Sequence, residues 1–209
     1  MRELDLYVSG SIASFCSTTI LFPIDTIKSR LQAGFKNEHL YKNVYKGLRY
    51  EMISTIPCTY LYWYSYSKLR NEGYSTIVAS CSASILSNII DTPFDLYKKK
   101  KQLLELTKSS IYKYCFMNVL ISLTYNMFYL NIYKKVKEKT DSNILSISSA
   151  SIISTFFSYP FDRQKTKIAM NYKNNDVSYF RGLGYRLMYS LLYSNMNMNI
   201  LLYFTPKII

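Results

Sequence analysis

Six long stretches of the 209-residue chain contain no Asp, Glu, Lys or Arg, and this pattern constrains the fold more than any other feature. The stretches are residues 6–24, 52–67, 73–90, 114–133, 142–161 and 187–206. Five of them are 18 to 20 residues long, and a helix needs about 20 residues to cross the roughly 30 Å hydrocarbon core of a bilayer. The pattern therefore predicts six transmembrane helices.

The stretches are rich in Ser, Thr, Asn and Tyr, so their mean hydropathy is modest. Lipid offers no hydrogen bonds to these groups, and we expect them to face the inside of a helix bundle or a water-filled cavity. Residues 25–51, 91–113 and 162–186 hold six Lys or Arg each, out of 26 in the chain. The positive-inside tendency predicts that these three connections face the inner compartment and that both termini face the other side.

One short motif recurs at the end of each odd-numbered stretch. Its copies are Pro23-Ile-Asp25-Thr-Ile-Lys28, Pro93-Phe-Asp95-Leu-Tyr-Lys98 and Pro160-Phe-Asp162-Arg-Gln-Lys165, which lie 70 and 67 residues apart. Because a proline inside a helix removes a backbone hydrogen bond, we expect helix kinks at Pro23, Pro93 and Pro160.

A second element, an aromatic residue followed by a basic one, precedes each even-numbered stretch. Its copies are Tyr45-Lys46-Gly47, Tyr112-Lys113-Tyr114 and Phe180-Arg181-Gly182. The two elements together predict three tandem two-helix repeats, at residues 1–70, 71–139 and 140–209, which form one transmembrane domain.

These motifs closely resemble those of the mitochondrial carrier family, and the resemblance extends over essentially the whole chain. It implies an all-α membrane fold of six transmembrane helices with pseudo-threefold symmetry, located in the mitochondrial inner membrane. It also implies a matrix gate in which acids and bases of neighbouring repeats pair: Asp25 with Lys98, Asp95 with Lys165, and Asp162 with Lys28. A glutamine nine residues after the proline braces such pairs in the family. Gln32 and Gln102 occupy that position, whereas the third repeat has Ala169.

The chain departs from the family at the opposite, cytoplasmic end of the even-numbered helices. Family members carry an acid and a base there, and this chain has lost the acid in all three repeats. The residues at this mouth are Ser67, Arg70, Lys134, Lys137 and Lys207. We expect the basic residues to attract anions and the cavity to rest open to the cytoplasm.

The resemblance places substrate contacts midway along the even-numbered helices, at Ser54, Thr55, Ile121, Ser122, Tyr189 and Ser190. It implies a transporter that moves a small anionic metabolite by alternating access, with a nucleotide or deoxynucleotide as the first candidate. The fourth helix lacks the small-plus-aliphatic pair and nearby arginines that are typical of nucleotide carriers, which weakens that choice. A monomer is expected, with an anionic lipid such as cardiolipin near Gly47 and Gly182.

Other functions explain less of the sequence. A carrier-like scaffold or receptor that no longer transports would fit the altered cytoplasmic end. A soluble nucleic-acid binder would explain the net charge of +13, but not six charge-free stretches, so no nucleic-acid partner is expected. His39 has no nucleophile or metal-ligand spacing around it, and the chain is predicted to be no enzyme and to hold no metal or cofactor.

Two weaker features complete these expectations. Residues 1–5 lack the pattern of a secretory signal, so the first helix is expected to carry its own insertion information. Frequent Lys, Asn, Tyr and Ile are typical of AT-rich genomes, such as those of reduced eukaryotes or of large DNA viruses that act on host mitochondria.

Overall fold

The computed structural model of the chain describes residues 3–104, 109–140, 142–171 and 178–204, and within these ranges it contains helices and no strand. The helices are α1 (Glu3–Gln32), α2 (Asn37–Leu40), α3 (Leu48–Asn71), α4 (Thr76–Gln102), α5 (Ile111–Lys139), α6 (Asn143–Ala169) and α7 (Leu183–Phe204). α2 is a single turn. The other six are 22 to 30 residues long, or about 33 to 45 Å at 1.5 Å per residue, which is enough to cross a membrane.

The six long helices form a closed ring in which each packs against two neighbours. The order around the ring is α1, α3, α4, α5, α6, α7 and back to α1. Among the described residues, further helix contacts across the ring join α1, α4 and α6, the helices that carry the Pro-x-Asp-x-x-Lys motifs. These three helices therefore meet inside the ring, and the other three lie outside that meeting point.

Polar side chains point into the ring and large apolar side chains point out of it. Among the described residues, six serines of α1 and α6 are fully buried: Ser17, Ser29, Ser146, Ser151, Ser154 and Ser158. Ile20, Phe116 and Ile144 are each about 60% exposed. A water-soluble protein would bury the apolar groups instead, so this distribution suits a bundle whose outer surface faces lipid.

Hydropathy alone identifies four of the six long helices as membrane spans. Over the described residues, α1 from Tyr7 onward, α4, α5 and α6 are both long and apolar enough to cross a bilayer, and α3 and α7 do not reach the same mean hydropathy. The ring needs all six helices, because α3 and α7 each close it between two of the apolar ones. The prediction of an all-α membrane fold with six long helices is confirmed.

The helices α1, α4 and α6 continue through their prolines for two further turns. α1 ends at Gln32, α4 at Gln102 and α6 at Ala169, each nine residues after the proline of its motif. The charged residues of the motifs consequently lie on helices rather than in loops. This extension delivers three aspartates and three lysines to one end of the bundle.

Gly10 of α1 provides a close approach between two neighbouring helices. A methyl group at Gly10 would overlap the Nε1 and Cδ1 atoms of the Trp63 indole on α3. Trp63 is the sole tryptophan of the chain. The contact therefore sets the packing of α1 against α3 and offers a spectroscopic reporter of it.

Replacing Gly10 should destabilise the protein through this contact. In Gly10→Ala the added methyl group displaces the indole, and overpacking of this kind costs about 1–3 kcal/mol. Gly184→Ala is the matched control, because a methyl group there meets nothing within 4 Å. We expect a lower melting temperature and a shifted Trp63 emission in Gly10→Ala, and equal melting temperatures for the two variants would contradict the contact.

Candidate functional site

The three acid–base pairs expected from the motifs are all formed between α1, α4 and α6. The nitrogen–oxygen distances are 3.6 Å for Lys98–Asp25, 2.5 Å for Lys165–Asp95 and 3.3 Å for Lys28–Asp162. All six residues are at most 8% exposed. Two of the lysines also contact the aspartate of their own helix, Lys28–Asp25 at 3.2 Å and Lys98–Asp95 at 3.0 Å. The three helix ends are thus joined by a network of charges.

Two glutamines brace two of the pairs. Gln32 Nε2 donates to Asp162 Oδ2 at 2.8 Å, and its Oε1 accepts from the Thr166 hydroxyl at 2.7 Å. Gln102 Nε2 donates to Asp25 Oδ2 at 3.1 Å. Each glutamine joins its own helix to the helix of the aspartate, so it holds the acid in place for the neighbouring lysine.

The third pair, Asp95 with Lys165, lacks a glutamine because Ala169 occupies that position, and Tyr114 takes over its role. The Tyr114 hydroxyl donates to Asp95 Oδ2 at 2.9 Å, and the Lys165 ammonium lies 5.2 Å from the centre of the Tyr114 ring. Asn118, one turn further along α5, accepts from Lys165 Nζ at 2.6 Å. The pair is therefore braced from α5 rather than from α6.

At the third pair, Tyr114 stands in place of a glycine and Ala169 in place of a glutamine, and the two changes are compatible in size. Gly182 adopts φ +90°, and a methyl group there would lie 3.1 Å from Cγ of Gln32, so a glycine and a glutamine pack against each other. Tyr114 replaces the equivalent glycine in the second repeat, and Tyr114 and Ala169 are both fully buried members of one hydrophobic cluster. A small residue on α6 makes room for the large ring on α5. The tyrosine in place of a glycine and the alanine in place of a glutamine therefore lie in the same buried region.

Three further residues join the network from positions that are equivalent in the three repeats. Glu51, Asn118 and Arg186 each lie four residues after the last residue of the aromatic-basic element, namely Gly47, Tyr114 and Gly182. Glu51 pairs with Lys98 at 2.8 Å, and Arg186 Nε lies 3.9 Å from Asp162 Oδ2. Alignment of the three repeats could have identified these positions. The sequence analysis did not include Glu51 and Arg186 because they lie one residue outside the charge-free stretches.

Lys99 is a fourth addition that the motif does not predict. It is 2% exposed, lies 3.4 Å from Asp25 Oδ1 and donates to the Ser29 hydroxyl at 2.5 Å. We call the nine charged residues that these contacts connect the ion-pair cluster. Its members are Asp25, Lys28, Glu51, Asp95, Lys98, Lys99, Asp162, Lys165 and Arg186.

A cavity inside the ring ends at this cluster. Its deeper part encloses about 230 Å³ and is bounded by Arg186. A second part of about 390 Å³ continues away from the cluster to Tyr66 on α3 and Tyr133 on α5. Tyr125 and Tyr193 line both parts, so they surround the junction between them.

Four of the six expected substrate contacts lie in the deeper part of the cavity. Ile121, Ser122, Tyr189 and Ser190 all line it. Ser54 and Thr55 are not among its lining residues, because both are buried and direct their hydroxyls to the Glu51 carbonyl oxygen, at 3.2 and 2.7 Å.

Stacked tyrosines line the cavity on α3, α5 and α7, the second helix of each repeat. The stacked pairs are Tyr62–Tyr66 on α3, Tyr125–Tyr129 and Tyr129–Tyr133 on α5, and Tyr189–Tyr193 on α7, with ring centres 5.5 to 6.3 Å apart. We call these rows the tyrosine ladders. Each pair is separated by one helical turn, so the same face of each helix presents rings to the cavity.

The other end of the cavity lacks a comparable ion-pair cluster, since every ion pair between helices in the described ranges lies at the motif end. Arg70 donates to the Tyr74 carbonyl oxygen at 2.7 Å, and Lys137 contacts the Asn143 side chain. Ser67 is half-buried and Lys134 is exposed. Lys207 lies outside the described residues.

Comparison with known proteins supports the same architecture. The family model described as "Mitochondrial carrier protein" matches residues 4–42. The S-adenosylmethionine mitochondrial carrier protein homolog of Drosophila melanogaster is 29% identical over 115 residues, covering 49% of this chain and 41% of that protein. The putative mitochondrial carrier protein PET8 of Saccharomyces cerevisiae is 30% identical over 115 residues, covering 46% and 40%.

A third relative aligns over most of the chain. Mitochondrial substrate carrier family protein X of Dictyostelium discoideum is 24% identical over 225 residues, covering 82% of this chain and 75% of that protein. The matches to the first two relatives span only about two fifths of their length. A six-helix membrane bundle with three interlocked acid–base pairs is the class of protein that the fold defines. The chain is similar to the mitochondrial carrier family, by its family model over residues 4–42 and by these relatives over larger shares of its length.

Removing the Tyr114 hydroxyl should weaken the third pair. Tyr114→Phe keeps the ring but deletes the hydrogen bond to Asp95, and a bond to a charged group contributes about 1.5–3 kcal/mol. Tyr112→Phe is the matched control, because Tyr112 is 85% exposed. Thermal unfolding in detergent measures the difference, and a Tyr114→Phe variant as stable as the control would show that the hydroxyl braces nothing.

Proposed function

We propose that this protein is a membrane transporter that moves a small solute by alternating access. The observation that carries the proposal is a polar cavity that ends at a buried ion-pair cluster joining α1, α4 and α6. In this proposal the cluster is the matrix gate, with Gln32, Gln102 and Tyr114 as its braces. Separation of the three helix ends would open the cavity to the second compartment.

The energetics of such a gate suit reversible opening. A buried ion pair gains Coulomb energy but loses hydration, and the two terms nearly cancel when the pair opens to water. An exposed pair contributes only about 0–1 kcal/mol. Opening all pairs together therefore exchanges protein contacts for water contacts, whereas deletion of one partner leaves a buried charge without compensation and costs about 3–5 kcal/mol.

The substrate belongs to the small polar metabolites, with an adenine-containing compound as the first candidate. The relatives include proteins named as S-adenosylmethionine carriers, a glutathione transporter and a peroxisomal adenine nucleotide carrier. Tyrosine rings and amides such as Asn126 line the cavity, and such groups stack on bases and bond to their edges. This combination favours the adenine compounds over glutathione.

The proposal places the protein in the mitochondrial inner membrane as a monomer of three repeats, at residues 1–70, 71–139 and 140–209. The connections rich in Lys and Arg then face the matrix. Gly47 and Gly182 immediately precede α3 and α7. Backbone N–H groups at such helix starts suit the phosphate of an anionic lipid such as cardiolipin.

Uptake into liposomes tests the transport proposal. Purified protein should accumulate radiolabelled S-adenosylmethionine or an adenine nucleotide inside liposomes preloaded with the same compound. Asp162→Asn should lower uptake at least tenfold, because it leaves Lys28 and Arg186 without their shared counterion. Glu72→Gln removes the same charge at an exposed loop position and is the control.

The liposome experiment also separates transport from the second candidate function. A carrier-like scaffold is favoured by the absence of acids at the mouth residues Ser67 and Lys134. If no solute of a broad panel, glutathione included, is taken up by folded protein, the scaffold replaces the transporter.

Adding acids at the mouth should slow uptake. Ser67→Glu with Lys134→Glu supplies partners for the basic residues there, which holds that end closed and removes the attraction for anions. We expect a lower rate with a weaker dependence on salt concentration than in the parent protein. Ser67→Gln with Lys134→Gln controls for size, and an unchanged rate in the acidic variant would exclude a role of this end in gating.

A further inference from the structure

Asp91 is an acid of α4 that the ion-pair cluster does not include. It lies one helical turn before Asp95, so the two aspartates share one face of the helix. Each of the four acids in the cluster has a lysine within 3.3 Å. No ion pair in the described part of the chain involves Asp91. The negative charge of Asp91 therefore lacks a direct counterion there.

The Asp91 side chain faces the inside of the helix ring. It is close enough to interact electrostatically with groups on its own helix and on three others, namely Glu51 and Cys58 on α3, Asp95 and Lys98 on α4, Tyr114 on α5, and Tyr193 on α7. Tyr193 lines both parts of the cavity. Asp91 is half-buried, whereas Asp25, Asp95 and Asp162 are at most 7% exposed. Water in the cavity therefore has access to the Asp91 carboxyl group.

Lys98 interacts with Asp91, but three other carboxylates already share this lysine. The Lys98 Nζ atom lies 2.8 Å from Glu51, 3.0 Å from Asp95 and 3.6 Å from Asp25. A charged Asp91 adds a fourth carboxylate to a single ammonium group, and like charges repel one another strongly where little water separates them. Binding of a proton by Asp91 removes this repulsion.

Ser54 on α3 provides a hydrogen-bond acceptor for a protonated Asp91. The Ser54 hydroxyl lies beside the Asp91 carboxyl group, and it directs its own proton to the Glu51 carbonyl oxygen at 3.2 Å. A serine oxygen accepts further hydrogen bonds while its proton is donated elsewhere, so Ser54 can accept from the O–H of a protonated carboxyl group. A charged Asp91 would instead compete with the carbonyl oxygen for the hydroxyl proton.

We infer that Asp91 binds a proton and that the protein carries this proton together with an anionic solute. The inference rests on the proposed transport function and adds a second cargo to it. The cluster holds four acids and five bases, so a charged Asp91 balances it and a protonated Asp91 leaves one positive charge in excess. A proton on Asp91 and an anion in the cavity therefore favour each other's binding, and such linkage is reciprocal. The proton enters from water in the cavity, forms an O–H bond on Asp91, and returns to water in the second compartment after the cluster opens.

Infrared difference spectroscopy of the full-length protein in lipid nanodiscs tests the proton site without any solute. A protonated carboxyl group gives a carbonyl stretching band that a carboxylate lacks. Between about pH 5.5 and about pH 8, exposed carboxyl groups with pKa values of about 4 change little. We expect the parent protein to lose such a band as the pH rises through this range, and Asp91→Asn to show none. Asp91→Glu should restore the band, and Glu72→Gln, at an exposed position, should leave it unchanged.

Net uptake into liposomes tests the coupling of proton and anion. AMP is the probe, because it is anionic and contains the adenine ring of the first candidate substrates. With the membrane voltage held at zero, an acidic exterior should raise the accumulation of radiolabelled AMP about tenfold per pH unit, the value for one proton per anion. A pH-sensitive dye inside the liposomes should report proton entry only when AMP is present. Asp91→Asn, the uncharged analogue of the protonated form, should accumulate AMP equally with and without the pH gradient.

The two measurements separate this inference from the transport proposal. An infrared band that disappears in Asp91→Asn supports the proton site, whether or not AMP is taken up. A parent protein without the band, or a band that survives in Asp91→Asn, overturns the inference even if AMP is transported. AMP accumulation that does not respond to the pH gradient leaves the transporter and rejects the coupling. The band without uptake of AMP or of any other solute leaves the proton site and rejects the transport proposal.

Discussion

Buried ion pairs between α1, α4 and α6 are the interaction on which the rest of the structure depends. Charges at most 8% exposed remain stable only where opposite charges and hydrogen bonds surround them. The ring of helices provides those partners only when the three helix ends meet. The cluster therefore fixes where the helices converge, and the space that they leave on the other side becomes the cavity.

The three repeats meet this demand with different side chains. Gln32 and Gln102 brace two pairs through an amide, and Tyr114 with Asn118 supports the third. The equivalent positions on α3, α5 and α7 hold an acid, an amide and a base: Glu51, Asn118 and Arg186. A pseudo-symmetric fold thus has an asymmetric set of charges at the inner end of the cavity, where Arg186 is the one of these three residues that lines it.

Much of the fold follows from the sequence, because the absence of charge over about 20 residues is a strong physical requirement of a membrane span. The motif spacing also predicts which aspartate meets which lysine. The role of Tyr114 does not follow, because it depends on the space that Ala169 leaves in a neighbouring helix. Lys98 and Lys99 are adjacent residues of the same type, and the motif predicts a contact with Asp25 only for Lys98. The packing of the helices shows that both lysines reach Asp25. Arg186 is a polar side chain at the edge of a span, where sequence cannot separate a lipid-facing from a cavity-facing position.

The central claim, that the ends of α4 and α6 are held together by the ion-pair cluster and separate during transport, can be measured directly as a distance. Spin labels at Lys100→Cys on α4 and Lys167→Cys on α6, in a background without Cys16, Cys58, Cys81 and Cys115, report the separation of the two helix ends in lipid nanodiscs. Pulsed electron resonance should show one short distance in the resting protein and a second, longer distance that grows with added substrate and dominates in Asp162→Asn. A single distance that neither substrate nor Asp162→Asn changes would contradict the account.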